Sequence, residues 1–234
     1  MSLTDNPQPL GPTVRHRSTR DRPAKAPLSE DAVVDAAMAI LQSDGMESVT
    51  MRRVAAALDT GAASLYVYVS GREGLLQGMQ DRIFGAVELE APDPSRWRAQ
   101  LHALLTRVHR ALVAHPGIAE TTLAEPPGTE ATLRLLENVL GILLAGGLDP
   151  QGAAWAADIL AMVVNYAAIE ADARRTDPEE RAAKIYKTFT GLSPDRFPLI
   201  TAHAAQLVTG DGEERFRVTI DVVIDGMLTR TARR

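Results

Sequence analysis

The sequence predicts an all-α protein: an N-terminal three-helix helix-turn-helix domain followed by a larger helical domain. Three observations carry the fold class. From residue 28 onward apolar residues recur at three- and four-residue steps, the period of a helix with one buried face. No stretch alternates apolar and polar residues as a half-buried strand would. The breaks between periodic stretches are short and carry Gly or Pro, as at Ser70-Gly71, His115-Pro116-Gly117 and Gly146-Gly147.

The first element is a tail, Met1–Pro27, rich in Pro, Ser, Thr and Arg and without apolar period, so it is expected to be disordered and basic. It reads either as a solvated tail or as a basic arm lying in a DNA minor groove. Leu28–Asp44 is the first helix. Ser29 is a good N-cap, Glu30 and Asp31 suit the positive end of the helix dipole, and Val33, Val34, Ala37, Ile40 and Leu41 form the buried stripe. Thr50 caps a second helix reaching Leu58. Asp59-Thr60-Gly61 stops it, with Gly61 expected in the left-handed region and Asp59 tolerant of it. Ala62–Tyr68 follows as a second short helix, and Arg72–Leu89 links this head to the rest.

Two short helices joined by a tight Gly-containing turn form a helix-turn-helix, whose second helix enters the DNA major groove. Ala62, Ala63 and Ser64 are small enough for close approach to base edges, which Met51, Ala62 and Ala63 are placed to touch. Tyr66 and Tyr68 bring hydroxyls to phosphate oxygens, and Thr50, Arg52, Arg53 and Arg72 flank the unit. Packing of Tyr66 and Tyr68 into a small core is the competing explanation for either one alone.

Ser29–Gln77 resembles the DNA-binding domain of TetR-type (tetracycline-repressor-type) regulators. The resemblance rests on the loop SDGMESVT, on Thr50, Arg52, Ala55 and Leu58 in a T-x-R-x-x-A-x-x-L run, and on Leu65-Tyr66-Val67-Tyr68-Val69, followed by Arg72 and Leu75-Leu76. Asp59 stands where the family usually has Gly, and Tyr68 where His is frequent.

The body is helical throughout. Expected helices are Ser95–Ala114, a short one at Ile118–Leu123, Thr129–Ala145, the very apolar Pro150–Arg174 capped by Asp149, a polar one from Asp177-Pro178 to Thr190, Leu199–Val208 and Glu213–Thr231. Trp97-Arg98, His115-Pro116-Gly117, Phe197-Pro198 and Glu214-Arg215-Phe216…Asp225-Gly226 resemble, more loosely, the tetracycline-repressor C-terminal domain. That resemblance implies a homodimer joined by a four-helix bundle of residues 150–174 and 213–231 from each chain, and a small-molecule effector pocket among the middle helices. Counted from Trp97, positions that carry polar drug–magnesium ligands in the tetracycline repressor are Leu104 and Thr122 here, which points to a less polar effector. Trp97, Leu104, Val108, Asn138, Trp155, Met162, Asn165 and Tyr166 are the candidate pocket residues. They combine apolar bodies with a few polar handles, although each alone also reads as core or interface.

Composition sets the outer limits. A chain of 234 residues with 45% hydrophobic and 24% charged residues can bury a sizeable core. It has no cysteine, so disulfides, thiolate metal sites and a Cys nucleophile are excluded. The longest unbroken apolar stretch read from sequence, Val139–Leu148, is too short to cross a bilayer, and there is no apolar signal region, so a soluble cytoplasmic protein with no membrane partner is expected. The net charge of −5 opposes DNA binding, but Arg52, Arg53 and Arg72 concentrate positive charge on the expected DNA face. His102 and His109 lie seven apart, not at the four-residue step of a helical metal pair. No nucleophile elbow, phosphate loop or spaced carboxylate pair points to catalysis. With the resemblance, these limits give the expectation of a ligand-responsive transcriptional regulator, a repressor, with domains at residues 28–76 and 77–234 and neither cofactor nor metal. It binds a palindromic double-stranded operator as a homodimer. The alternative is a helical dimeric ligand-binding or protein-interaction module that binds DNA weakly.

Overall fold

The computed structural model describes residues 27–124, 128–173, 178–209 and 212–232, and every regular element among them is helical. The basic tail, Pro27 apart, and the ends assigned to Arg174 and Asp177 lie outside the described residues.

The head is built by local capping. Helix α1, Glu30–Asp44, starts where the Ser29 hydroxyl accepts the Ala32 N–H at 3.2 Å, and ends at Gly45 with φ 78°. A single 3-10 turn follows, and helix α2, Met51–Ala57, begins where the Thr50 hydroxyl accepts the Arg53 N–H at 3.3 Å. The break after α2 differs from the sequence expectation: Asp59 takes the left-handed conformation, φ 50°, while Gly61 sits at φ −83°. Asp59 N–H donates to Ala56 O and Thr60 N–H to Ala55 O, so Asp59 is the turning residue of a Schellman stop and Gly61 lies beyond it. Helix α3 is shorter than expected, Ala62–Leu65, with residues 66–68 forming a turn. Helix α4, Gly71–Gly85, starts one residue before Arg72 and ends before Leu89.

The body comprises α5 (Trp97–Val113), α6 (Ile118–Ala124), α7 (Glu130–Ala145), α8 (Pro150–Ala173), α9 (Pro178–Thr190), α10 (Pro198–Ala202), α11 (Ala204–Val208) and α12 (Gly212–Thr231). The single helix expected at Leu199–Val208 is two helices, divided at His203. Helix α8 is central and packs against α5, α6, α7 and α12. By length and composition alone it could cross a bilayer, with mean hydropathy 1.5 over its most apolar window. That corrects the expectation that nothing in the chain is long and apolar enough. One face of α8, through Ala153, Ala157, Leu160 and Val164, is buried within the fold.

The buried side chains form one continuous core. Val33, Ala37, Val54, Leu65 and Leu75 fill the head, while Leu101, Leu104, Ile142, Leu143, Leu160, Ile220 and Ile224 fill the body. Helix α4 belongs to both, since Leu75 and Met79 meet the head and Phe84 meets the body. Burying each of the Val, Leu, Ile, Met and Phe side chains stabilises the fold by about 1.5–3 kcal/mol, so a shift of α4 disturbs two packed regions at once.

Candidate nucleic-acid interface and ligand cavity

The helix-turn-helix presents its reading face outward. Leu65 is fully buried and pins α3 to the head, which turns Ala63, Ser64 and Tyr66 to solvent. Tyr66 is 61% exposed and its neighbour Val67 79% exposed, a cost the packed head does not require. Tyr68 is different: it is half-buried and packs against the core, as do Met51 and Ala62. The packing explanation therefore holds for Tyr68 and fails for Tyr66. Thr50 is exposed, and its hydroxyl oxygen serves as the α2 cap while its proton remains to donate. Arg52 and Arg72 are exposed and form no ion pair among the described residues, whereas Arg53 Nη2 lies 2.6 Å from Asp44. Sequence alone grouped these three arginines; among the described residues two of them have no ion-pair partner and face solvent.

The candidate pocket residues divide into three groups. Val108 and Asn165 line a cavity of about 190 Å³ between α4, α5, α6, α7 and α8. Leu104 is fully buried core and does not line it. Trp97 and Asn138 do not line this cavity either. A Cβ on Gly146 would meet the Trp97 ring at 2.5 Å, so that indole packs the α7–α8 turn. Asn138 Nδ2 donates to Glu90 O at 2.8 Å and holds the chain between α4 and α5. Trp155, Met162 and Tyr166 stand on the outer face of α8, 42%, 49% and 66% exposed, and none lines the cavity. Their spacing of seven and four residues makes one stripe, and Val218 and Val222 are exposed on α12.

The cavity wall is largely apolar, with Phe84, Leu105, Leu112, Leu136, Leu160 and Val164 among its members. Four neutral polar side chains, Gln80, Thr122, Thr132 and Asn165, interrupt it, and no charged residue among the described ones lines it. Gln80 Nε2 donates to Thr121 Oγ1 at 3.0 Å, so the buried amide on α4 is tied to α6. Thr122 Oγ1 lies 2.5 Å from Asn165 Oδ1 and 2.8 Å from Ala119 O, and its one proton serves one acceptor at a time. Asn165 Nδ2 donates to Ala161 O at 2.9 Å. Gln80 and Thr132 were not singled out from sequence. The available signal was a polar residue at position 80 inside the apolar stripe of Leu76, Met79, Ile83 and Phe84, where burial demands a partner.

His102 and His109 join helices of the body, one by a hydrogen bond and one by stacking. His102 Nε2 lies 2.9 Å from Asp221, which Arg98 also contacts at 3.1 Å; these two contacts join α5 to α12. Together they hold the Asp221 carboxyl below the usual carboxylate range, the His102 hydrogen bond having the largest effect. His109 stacks on Phe216 with ring centroids 5.0 Å apart, and burial pushes its imidazole below 6.5. No group of three or more metal-ligating side chains occurs among the described residues.

A packed head with an outward reading turn, carried on a helix that also walls a cavity in the body, defines a helix-turn-helix regulator. Residues 33–79 match the family of bacterial regulatory proteins of the tetR type, and residues 91–231 match the tetracyclin repressor-like C-terminal domain. The chain belongs to the TetR family of transcriptional regulators; such proteins are DNA-binding transcription factors and not enzymes. It is 31% identical over 228 residues to the transcriptional repressor DrrR1 of Streptomyces coeruleorubidus, covering 92% of this chain and 84% of that protein. The crystal structure of the TetR family protein ActR of Streptomyces coelicolor in complex with actinorhodin superposes with a TM-score of 0.82 at 30% identity, covering 88% of this chain and 98% of that one. The class C tetracycline repressor of Escherichia coli is 25% identical over 171 residues, covering 72% of this chain and 78% of that protein.

Proposed function

We propose that the protein is a repressor that binds a palindromic operator as a homodimer and is released by a neutral small molecule. Residues 28–76 form the DNA-binding unit and residues 77–234 the effector-binding and dimerisation unit. The observation that carries this reading is the placement of α4: its N-terminal half packs the reading head and its Gln80 and Phe84 wall the cavity. In each subunit Ala63 and Ser64 face base edges, Met51 and Ala62 sit at the edge of that face, and Thr50, Arg52, Tyr66 and Arg72 contact phosphates. Tyr68 supports the turn from within.

The outer stripes of α8 and α12 support the dimer. Trp155, Met162 and Tyr166 beside Val218 and Val222 give an apolar face of the kind that a self-complementary interface covers. In this reading the exposed tryptophan and tyrosine belong to the four-helix bundle, while Tyr166 and Met162 also line an open groove of about 890 Å³ between α5, α8 and α12. The symmetric pair sets two reading heads about 34 Å apart, one DNA turn.

The cavity supports the effector class. An apolar wall with only neutral polar groups favours an uncharged, largely apolar molecule with a few hydroxyl or carbonyl oxygens, because a buried charge there would have no partner. ActR of Streptomyces coelicolor, which shares this fold, has been crystallised in complex with actinorhodin. The cavity of about 190 Å³ is smaller than the roughly 300–1,000 Å³ of typical ligand sites, so a larger effector displaces wall helices, including α4. The test is a screen of neutral aromatic compounds for release of a bound duplex, followed by anisotropy. A compound that lowers DNA affinity should lose its effect in Leu136→Trp, which fills the cavity. Release that is unchanged in that variant would place the effector elsewhere.

A further inference from the structure

We propose that three consecutive residues of α4, Gln80, Asp81 and Arg82, form the junction through which cavity occupancy reaches the head, with Asp81 as the positioning residue. This rests on the reading of the cavity as an effector site. Successive helix residues project about 100° apart, so one turn can address three neighbours. Gln80 faces the cavity and donates to Thr121 on α6 at 3.0 Å. Asp81 Oδ1 accepts the Ala131 N–H at 2.8 Å, in the first turn of α7. Arg82 donates to Asp31 at 2.8 Å and to Asp35, both on α1 of the head.

The α7 start is itself connected to the cavity. Thr129 and Thr132 form a reciprocal capping box, with Thr132 N–H donating to the Thr129 hydroxyl and Thr129 N–H to the Thr132 hydroxyl. Thr132 also lines the cavity. Of the backbone donors in that first turn, one is satisfied inside α7 and another by Asp81 from α4. A group that engages Thr132 or widens the wall therefore acts on the same turn that anchors Asp81, and the next residue, Arg82, grips the head. Helices α4 and α7 also approach closely here, since a Cβ on Gly85 would lie 3.8 Å from the Ala131 methyl. Occupancy transmits only if it is tolerated unequally by the two positions of α4.

The experiment measures affinity of the full-length protein for a duplex recovered by selection from a random pool. Two occupants of the cavity are used: Val139→Phe, which fills it from the wall, and the neutral dye N-phenyl-1-naphthylamine at saturation. In the wild-type background either occupant should weaken DNA binding by about tenfold, within the usual allosteric range. Asp81→Ala alone should keep DNA affinity within about threefold, and should reduce the effect of either occupant to under about twofold. Asp81→Asn retains an acceptor for the Ala131 N–H and should restore most of the coupling, which loss of stability alone would not do. If the occupants weaken DNA binding as strongly in Asp81→Ala as in wild type, the junction is wrong while the cavity reading stands. If neither occupant affects DNA binding in the wild type, the cavity reading fails and the junction fails with it.

Discussion

Replacing Arg72 by Ala isolates one phosphate contact per subunit. Arg72 is exposed and forms no ion pair among the described residues, so its removal leaves the head packing intact. Each neutralised phosphate contributes about 0.9 to the slope of log affinity against log salt, so a dimer losing two contacts should lose about 1.8 from that slope. Between 50 and 200 mM salt the variant should therefore lose roughly twelvefold less affinity than the wild type does over the same range. Arg53→Ala is the internal control. Arg53 already lies 2.6 Å from Asp44, so less of its charge is available to DNA and its slope change should be smaller. Anisotropy titrations of one labelled duplex at four salt concentrations measure both. An unchanged slope for Arg72→Ala, or a larger change for Arg53→Ala, would refute the phosphate assignment.

Three further outcomes follow from packing and protonation. Gly146→Ala would place a methyl 2.5–2.8 Å from the Trp97 ring and should destabilise the body by about 1–3 kcal/mol, seen as a lower melting temperature with altered tryptophan emission. Leu160→Ala removes a fully buried side chain that also walls the cavity; it should cost about 2–5 kcal/mol, and a cost near zero would show that the wall is not packed. Burial holds the His109 imidazole below its ordinary 6.5, so the unfolded chain takes up a proton that the folded chain refuses. That contribution is complete above pH 6.5 and is lost as pH falls through the lower folded value. His109→Gln should therefore flatten the dependence of unfolding midpoint on pH below 6.5, and an unaltered profile would contradict the assignment.

What was legible in the sequence was what local chemistry determines. Ser29 and Thr50 cap their helices as expected because an N-cap depends on one hydroxyl and a backbone donor three residues on. The Asp59 and Gly61 turn was harder. Both residues tolerate the left-handed region, and the Thr60–Ala55 hydrogen bond decides which one occupies it. Tyr66 and Tyr68, alike in sequence, separate because the turn after Leu65 sends one outward and one onto the core. The pocket was least legible. Helix α8 is apolar on more than one face, so periodicity cannot assign Trp155 and Tyr166 to an inner or outer surface. Gln80 escaped notice because its partner, Thr121, lies 41 residues away and meets it only through the packing of α4 on α6.

The most direct test of the regulator reading is selection of bound duplexes from a random pool by the full-length protein without added ligand. A palindrome with half-site centres one helical turn apart, about 34 Å, is the expected result. Its binding should fall for Arg72→Ala and change sequence preference for substitutions at Ala63. Recovery of no enriched sequence by folded, dimeric protein, or of a single unpaired half-site, would contradict it.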